Sequence, residues 1–299
     1  MQQGALLMSK YRRTHQSNRG SGLRLGVLIA LLTIVVASLL LVRSMLHNAS
    51  QPQLSYSGPE ILAEYMPASD QGQTVHHRHF SLSYLEKYEQ AQWVAYELTR
   101  EELDAPRVSR HDRFNPDYSV TTRSAFSRDY SGSGFTRGHL APAADMAFDT
   151  LAMRESFYMS NISPQRRDFN NGIWRELEEQ TRDWARASGR LYIVTGPVLS
   201  TSLTSHIGQN KVAVPELFYK VLLDPDEPEI RNIAFLLPNA LSDKPLMEYA
   251  VSIDSVEHIT GLDFFPLHNG TTDEGKSDIS RWPLDTQRYQ KRIKEWNNE

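Results

Sequence analysis

The chain contains no cysteine, and its first 43 residues contain no acidic side chain. The absence of cysteine excludes a disulfide scaffold, a thiol nucleophile, and any zinc or iron–sulfur site built on thiolates. It leaves the cellular compartment open, because a cysteine-free chain folds in either redox environment. At 299 residues the chain is long enough for one large or two modest domains with a real core, and it shows no internal repeat.

The chain also lacks an overall basic excess, with 32 Lys and Arg against 36 Asp and Glu. A formal charge of −4 argues against a non-specific polyanion binder. The charge is unevenly distributed, however, because residues 1–43 carry six basic side chains. Residues 100–175 carry eleven arginines, ten acidic residues and no lysine. Guanidinium groups bind phosphate through paired hydrogen bonds, so this segment is the expected phosphate-binding part of the chain.

One long apolar run, residues 25–42, lies between Arg24 and Arg43. At about 1.5 Å per residue, a helix of this length just crosses a hydrocarbon core of about 30 Å. The run predicts a transmembrane signal anchor. A cleaved signal peptide is the alternative, although its apolar region usually covers only about 7–15 residues. The basic excess upstream places residues 1–24 in the cytoplasm, with the body on the other side of the membrane.

This reading divides the chain into a basic N-terminus (1–24), the anchor (25–42), a polar linker (43–59), a folded domain (60–269) and a mobile loop with a C-terminal tail (270–299). We expect a single-pass protein of the bacterial inner membrane whose folded domain faces the periplasm. The Arg-bearing N-terminus would also suit a mitochondrial presequence, which makes the mitochondrial inner membrane the alternative location.

Strand-like segments rich in β-branched and aromatic residues recur along the body. They cover residues 92–99, 189–199, 214–224 and 230–239. Residues 171–188 predict a helix, because apolar residues repeat there at helical spacing. This stripe consists of Ile173, Trp174, Leu177, Thr181, Trp184 and Ala185. A short helix is predicted over 254–260, ending at Gly261. Strands and helices without a regular βαβ order predict an α+β fold.

Three histidines near the start of the body are the first candidates for a metal site. They are His76, His77 and His79. Adjacent residues on a strand face opposite ways, and Phe80, Leu82 and Tyr84 alternate behind them. The segment therefore predicts a surface strand rather than a metal site.

Two later segments combine the residue types of hydrolytic chemistry. The first reads Thr136-Arg137-Gly138-His139 on a predicted strand. A histidine can act as a general base with little tuning, because its ordinary pKa is about 6.5. Gly138 lets backbone or substrate approach closely. The second segment reads Asn161-Ile162-Ser163-Pro164-Gln165, and it is followed by Asn170 and by Leu177-Glu178.

Together these segments resemble the signature of the DNA/RNA non-specific endonucleases. This ββα-metal family includes secreted bacterial nucleases and mitochondrial endonuclease G. Its pattern is Asp-Arg-Gly-His, Asn-[Ile/Val]-x-Pro-Gln, an Asn nine residues after the first Asn, and a Leu-Glu ending eight residues later. Similar blocks extend over most of residues 75–265. The resemblance implies a ββα-metal nuclease fold over residues 60–269, with a central, mainly antiparallel sheet flanked by helices.

The resemblance also implies roles for individual residues. His139 would deprotonate the attacking water, and Asn170 would be the sole protein ligand of a divalent cation, Mg²⁺ or alternatively Mn²⁺. Glu178 lies two helical turns further on, about 12 Å along a straight helix, so it would reach the ion through a bound water.

Three further residues complete the implied site. Asn161 would help to organise it, and Arg137 would brace the phosphate. A second guanidinium would come from Arg110 or Arg113. The upstream spacing varies within the family, and Arg110 is the preferred choice.

The implied reaction is hydrolysis of DNA and RNA to 5′-phosphate products, through contacts with backbone phosphates rather than base edges. Two alternatives remain: an end-directed exonuclease, and a membrane-tethered nucleic-acid-binding module with weak or no activity. Thr136 stands where the family has Asp, which is implied to orient its neighbours, so lower activity or a shifted metal preference is expected. The sequence leaves open whether the body forms a homodimer, as relatives commonly do.

Overall fold

The computed structural model describes residues 30–38, 65–68, 71–226, 230–266 and 279–298. Residues Met1–Ser55 form one compact unit and Tyr56–Glu299 another. Within the first unit, residues 30–38 are helical and their side chains are exposed. Half of the predicted anchor (residues 25–29 and 39–42) and the whole of the predicted linker lie outside the described residues. Within the described part of the chain, no helix is both long enough and apolar enough to cross a membrane.

The described residues of the second unit contain eleven strands. In chain order they are β1 (Gln73–His76), β2 (Ser81–Leu85), β3 (Gln90–Thr99), β4 (Thr136–His139), β5 (Ile162–Gln165), β6 (Arg190–Pro197), β7 (His206–Ile207), β8 (Val212–Ala213), β9 (Leu217–Asp224), β10 (Arg231–Pro238) and β11 (Ala250–Val251). Seven of them form one sheet in the order β1-β2-β3-β6-β9-β10-β11, and every neighbouring pair is antiparallel. The four predicted strands correspond to β3, β6, β9 and β10, and the predicted antiparallel sheet is confirmed.

Alternation along the central strands divides their side chains between two cores, one on each face of the sheet. On β3, Val94 and Tyr96 pack into the core that contains Trp174 and Leu177. Trp93 and its alternating neighbours pack into the opposite core. The two small sheets, β4–β5 and β7–β8, lie outside this layer.

Among the described residues of the second unit, five α-helices of five or more residues accompany the strands. They are α1 (Arg100–Asp104), α2 (Thr150–Ser156), α3 (Arg175–Ser188), α4 (Ile253–Thr260) and α5 (Thr286–Lys294). The predicted helix over 171–188 corresponds to α3 and a π-helical segment before it, Asn170–Trp174. All six residues of its predicted stripe are buried. The predicted helix over 254–260 is α4, and it ends at Gly261, whose φ of 71° is the left-handed conformation that glycine favours.

The region of the three histidines is a hairpin, so the prediction of a continuous surface strand is wrong. β1 ends at His76 and β2 begins at Ser81. The backbone N–H of His77 donates to the carbonyl of Phe80 (2.9 Å), which closes the turn. His77 is buried, with its Nε2 2.8 Å from a carboxylate oxygen of Asp117. This partner lies 40 residues away in the sequence, so local alternation could not reveal it.

The C-terminal segment is an integral part of the second unit, whereas the sequence predicted a mobile loop and a tail over 270–299. Residues 267–278 lie outside the described residues. After them, Trp282 and Trp296 are buried. The guanidinium of Arg292 is fully buried and donates to the carboxylate of Glu176 in α3. A domain boundary at 269 therefore leaves out side chains that complete the core.

Candidate active site

His139 is the last residue of β4 and lies opposite Ile162 of β5. Its imidazole contacts the ring of Phe157 edge-on at 4.8 Å and the ring of Phe114 at 5.6 Å. Its Nε2 is buried and has no hydrogen-bond partner among the described residues. Burial, followed by the positive charge of Arg110, lowers the pKa of His139 to about 3. The imidazole is therefore neutral near pH 7 and able to accept a proton.

Close packing explains the glycine that precedes this histidine. A Cβ at Gly138 would overlap the side chain of Gln165 on the paired strand. The amide Oε1 and Nε2 of Gln165 are themselves buried, without partners in the described part of the chain. Buried polar atoms of this kind are ordinarily satisfied by water or by a ligand. The β4–β5 pair thus presents unsatisfied polar groups next to the candidate base.

Arg137 is held in place by the turn that precedes β4. Its Nε and Nη2 both donate to the carbonyl of Ser127, at 3.2 and 2.7 Å, and Nη2 also donates to Ser131 Oγ at 3.2 Å. The guanidinium carbon lies 5.7 Å from the ring centroid of Phe114 and 5.9 Å from that of Tyr130. Nη1 donates to none of the described residues, so part of this oriented guanidinium remains available to a phosphate.

The structure distinguishes the two upstream arginines. The guanidinium carbon of Arg110 lies 5.1 Å from the ring centroid of Phe157, the ring that also contacts His139. Its Nε donates to a carboxylate oxygen of Asp112 at 2.7 Å. Arg113 is exposed, and its backbone carbonyl accepts from Asn115 Nδ2. Arg110, which is also exposed, thus lies against the ring that contacts His139, and its role at the site remains a prediction.

Asn161 is buried, and its side chain is fully engaged with backbone. Its Oδ1 accepts from the N–H of Ala141 (2.9 Å), and its Nδ2 donates to the carbonyls of Ala141 (2.9 Å) and Ser156 (2.8 Å). Its own carbonyl accepts from the N–H of Leu140 (2.9 Å). These bonds fix the backbone directly after His139.

Asn170 begins the π-helical segment that leads into α3. Its Nδ2 donates to Thr136 Oγ1 at 3.0 Å, and Thr136 Oγ1 in turn donates to the carbonyl of Gln165 at 2.9 Å. The backbone of Gly172 leaves helical geometry, with φ −94° and ψ −112°. The straight-helix spacing of about 12 Å between Asn170 and Glu178 is therefore a wrong premise, because the helix is interrupted between them.

Glu178 lies on α3, and its carboxylate interacts electrostatically with a lysine of the sheet. Burial raises the pKa of Glu178 to about 7, and the charges of Lys220 and Arg182 oppose that rise. On β9, Lys220 has the parity of Phe218 and Leu222, which belong to the core on the α3 side. Lys220 Nζ is buried, without a hydrogen-bond partner in the described ranges, and it lies 5.0 Å from the ring centroid of Trp174.

Burial lowers the pKa of Lys220 to about 8, and the negative charges of Glu178 and Asp145 oppose that change. Asp145 accepts from Arg182 Nη1 at 2.8 Å and from the hydroxyl of Tyr96 at 2.8 Å. Sequence reasoning missed this network. One signal was available, because Lys220 is the only charged residue in the apolar run of strand β9 before Asp224.

The oxygen donors present here fit a hard cation. No group of three or more His, Asp or Glu side chains that could hold a metal occurs among the described residues. The Nδ2 of Asn170 is the amide atom that contacts Thr136, so Oδ1 lies on the other side of the amide. Mg²⁺ keeps several of its waters and is often bound by only one or two protein oxygens. A single amide oxygen of this kind therefore suits Mg²⁺ better than an ion that needs a dense ligand cluster.

Residues 57–270 match the profile of the family described as DNA/RNA non-specific endonuclease. The chain belongs to this nuclease family. A crystal structure of an EndoG/EndoGI complex, described as showing the mechanism of EndoG inhibition, has a similar fold. Its TM-score is 0.65 at 30% identity, and the match covers 73% of this chain and 96% of that chain.

Several named nucleases of this family are similar to the chain. The human protein "Nuclease EXOG, mitochondrial" is 36% identical over 210 residues, which cover 64% of this chain and 57% of the relative. Human "Endonuclease G, mitochondrial" is 37% identical over 189 residues, covering 59% of this chain and 64% of the relative. "Nuclease C1" of Cunninghamella echinulata var. echinulata is 37% identical over 202 residues, covering 62% of this chain and 80% of the relative. The chain thus spans less than two thirds of the human EXOG nuclease.

Proposed function

We propose that the chain is a metal-dependent endonuclease that hydrolyses phosphodiester bonds of DNA and RNA. The observation that carries this proposal is the neutral imidazole of His139, whose buried Nε2 is unpartnered among the described residues. Two guanidinium groups, those of Arg110 and Arg137, accompany it. Asn170 is tied to the same β4–β5 unit through Thr136. A base, cationic groups and a metal-ligating amide together are the requirements of phosphodiester hydrolysis.

In the proposed reaction, His139 takes a proton from a water molecule as the oxygen of that water attacks phosphorus. The bond between phosphorus and the 3′ oxygen breaks, and the leaving oxygen takes a proton from solvent water, which leaves a 5′-phosphate and a 3′-hydroxyl. His139 then returns its proton to solvent. Negative charge builds up on the phosphoryl oxygens during this step. Arg137, fixed by Ser127, and Arg110 are placed to stabilise that charge. Asn161 keeps the backbone after His139 in position.

Asn170 Oδ1 would hold the cation, Mg²⁺ or Mn²⁺, and Glu178 would contact it through a water. When bound, the ion would supply positive charge next to the reacting phosphate. Lys220 and Arg182 favour the ionised form of Glu178, the form that can orient such a water.

We place the substrate contacts on backbone phosphates, because the guanidinium groups of Arg110 and Arg137 pair well with phosphate oxygens. The family's non-specific description agrees with this proposal. The names of the EXOG and endonuclease G relatives favour the mitochondrial alternative for location over the bacterial inner membrane. Anchoring through residues 25–42 and formation of a homodimer remain predictions.

The main alternative is an end-directed exonuclease, which the name of the EXOG relatives favours. A binding module with weak or no activity is the other. The test is incubation of the full chain in detergent with Mg²⁺ and, separately, covalently closed circular DNA, linear DNA with free ends, 5′-blocked linear DNA, and RNA. We expect cleavage of the circles and of RNA. Intact circles with degraded unblocked linear DNA would identify an exonuclease, and no cleavage of any substrate would identify a binding module.

A further inference from the structure

We propose that Thr136 is a positioning residue that fixes the amide orientation of Asn170, so that an oxygen rather than an –NH₂ group is offered to the cation. The inference rests on the proposed function for the identity of the metal ligand. The register of the β4–β5 pair places Thr136 opposite Gln165. Thr136 Oγ1 lies 2.9 Å from the carbonyl oxygen of Gln165 and 3.0 Å from the amide nitrogen of Asn170.

The proton of the hydroxyl determines which atom of Asn170 can face it. A threonine hydroxyl carries one proton and two lone pairs. The Gln165 carbonyl can only accept, so the hydroxyl proton is directed towards it. Thr136 Oγ1 can then only accept from Asn170, and the atom that faces it must be Nδ2. Oδ1 consequently lies on the opposite side of the amide, away from Thr136.

This constraint matters because the terminal torsion of an asparagine is broad and roughly two-fold. An amide that is free to turn over would present –NH₂ to the cation for part of the time, and –NH₂ cannot ligate a metal ion. The hydroxyl of Thr136 is in turn fixed by the main chain of β5, because it donates its proton to the carbonyl of Gln165. The orientation of Asn170 is thus set by the strand pair that also carries His139.

The same geometry accounts for threonine where the family pattern has aspartate. A carboxylate at position 136 could accept from Asn170 Nδ2, but it would also face the Gln165 carbonyl, which is a second acceptor. Threonine satisfies both neighbours and adds no charge. The departure is therefore a different way of orienting the ligand and not a sign of a decayed site.

The test compares Thr136→Val, which is nearly isosteric and lacks the hydroxyl, with Thr136→Ser, which keeps it. Mn²⁺ binding to the full chain is measured without substrate, by electron paramagnetic resonance of free Mn²⁺. We expect Thr136→Val to weaken binding about 10- to 100-fold, the usual effect of losing a group that orients a ligand. Thr136→Ser should bind close to the wild-type affinity. Thr136→Val with wild-type affinity would overturn the proposal.

A second background separates orientation from general disruption. In Asn170→Asp both terminal atoms are oxygens, so no wrong orientation exists. Thr136→Val should therefore cause little loss of Mn²⁺ affinity when it is added to Asn170→Asp. An equal loss of affinity in both backgrounds would overturn the proposal. Thr136→Ala serves the same comparison if valine disturbs the strand pair. The two proposals can fail separately. If Thr136→Val weakens Mn²⁺ binding but the wild-type chain cleaves no nucleic acid, this inference stands and the proposed function is refuted.

Discussion

Two titratable side chains at the site are displaced from their ordinary pKa values by the same cause. Burial disfavours the charged form of each, so the pKa of His139 falls and that of Glu178 rises. A neighbouring cation lowers the pKa of each group, so it adds to the effect of burial at His139 and opposes it at Glu178. Arg110 helps to keep His139 neutral, whereas Lys220 helps to keep Glu178 charged.

Replacing Arg110 should move the acidic limb of the pH–rate profile. His139 acts as a base only when it is neutral, so its lowered pKa places the acidic limb of kcat/KM below the ordinary value of about 6.5. Arg110→Gln removes a cation that lowers this pKa, and the limb should shift to higher pH. Arg113→Gln is the control and should leave the limb in place. The reverse pattern would show that Arg113 is the arginine beside the base.

Replacing Lys220 should make activity depend on the protonation of Glu178. Lys220→Met keeps the volume but removes the cation that favours the carboxylate, so the pKa of Glu178 should rise above about 7. We expect activity to be lost near pH 7 and partly recovered at higher pH. The measurement is kcat as a function of pH at saturating Mg²⁺. Equal loss at every pH would contradict this role and indicate a packing defect.

The residues that could be identified from the sequence are those with a short, ordered motif. His139, Asn161 and Asn170 occur at family spacing, and the resemblance was enough to find them. The partners of Glu178 could not be found this way, because Lys220 is separated from it by more than 40 residues and only the packing of α3 against the sheet brings them together. Thr136 was recognised as a departure, but its hydrogen bonds required coordinates.

At the scale of elements, α5 stabilises the helix that carries Glu178. Arg292 of α5 is buried against Glu176, and its Nη atoms donate to the carbonyls of Ser242 and Lys244. Residues 279–298 lie beyond the end of the family match at 270. A segment outside the matched region therefore supports α3.

Breaking this contact should destabilise the protein strongly. Arg292→Met leaves the Glu176 carboxylate buried and unpaired, which typically costs about 3–5 kcal/mol. Gln290→Met, at an exposed position of the same helix, should have little effect. The free energy of unfolding is measured with urea. The double variant Arg292→Met/Glu176→Met should be more stable than Arg292→Met alone, and equal loss in both would mean that the pair itself contributes little.

The periodicity of the sequence located the central strands and the α3 stripe, because both are repetitive and amphipathic. It failed where a single residue decides the structure. The alternation of polar and apolar residues continues from His76 to Tyr84, yet the chain turns between them. There the buried His77 pairs with Asp117, which lies far away in the sequence. The two tryptophans near the C-terminus, Trp282 and Trp296, stand isolated among polar residues, so no periodic pattern marked them as core.

For the whole molecule, net charge was a misleading guide. The average of −4 suggested that the chain does not bind polyanions, and membership of a nuclease family corrects this inference. The net charge misled because it averages over the chain, whereas the arginines are concentrated in residues 100–175. Phosphate contacts in an otherwise acidic body should be few and local.

The salt dependence of DNA affinity measures the number of phosphate contacts. For duplex DNA, each phosphate contact contributes about 0.9 to the slope of log affinity against log salt. Arg110→Gln should lower that slope by about 0.9, whereas Arg113→Gln should leave it unchanged. The slope is measured by fluorescence anisotropy with Mg²⁺ omitted, which prevents cleavage. An unchanged slope for Arg110→Gln would exclude this residue from phosphate binding.

The most direct test of the account is the rate at which His139→Ala cleaves covalently closed circular DNA in Mg²⁺. We predict a rate about 100- to 10,000-fold below wild type, which is the usual contribution of a general base. Mn²⁺ binding and the unfolding midpoint of the variant should remain close to wild type. A His139→Ala protein that nicks the circles at the wild-type rate would contradict the assignment of the base, and with it the proposed mechanism.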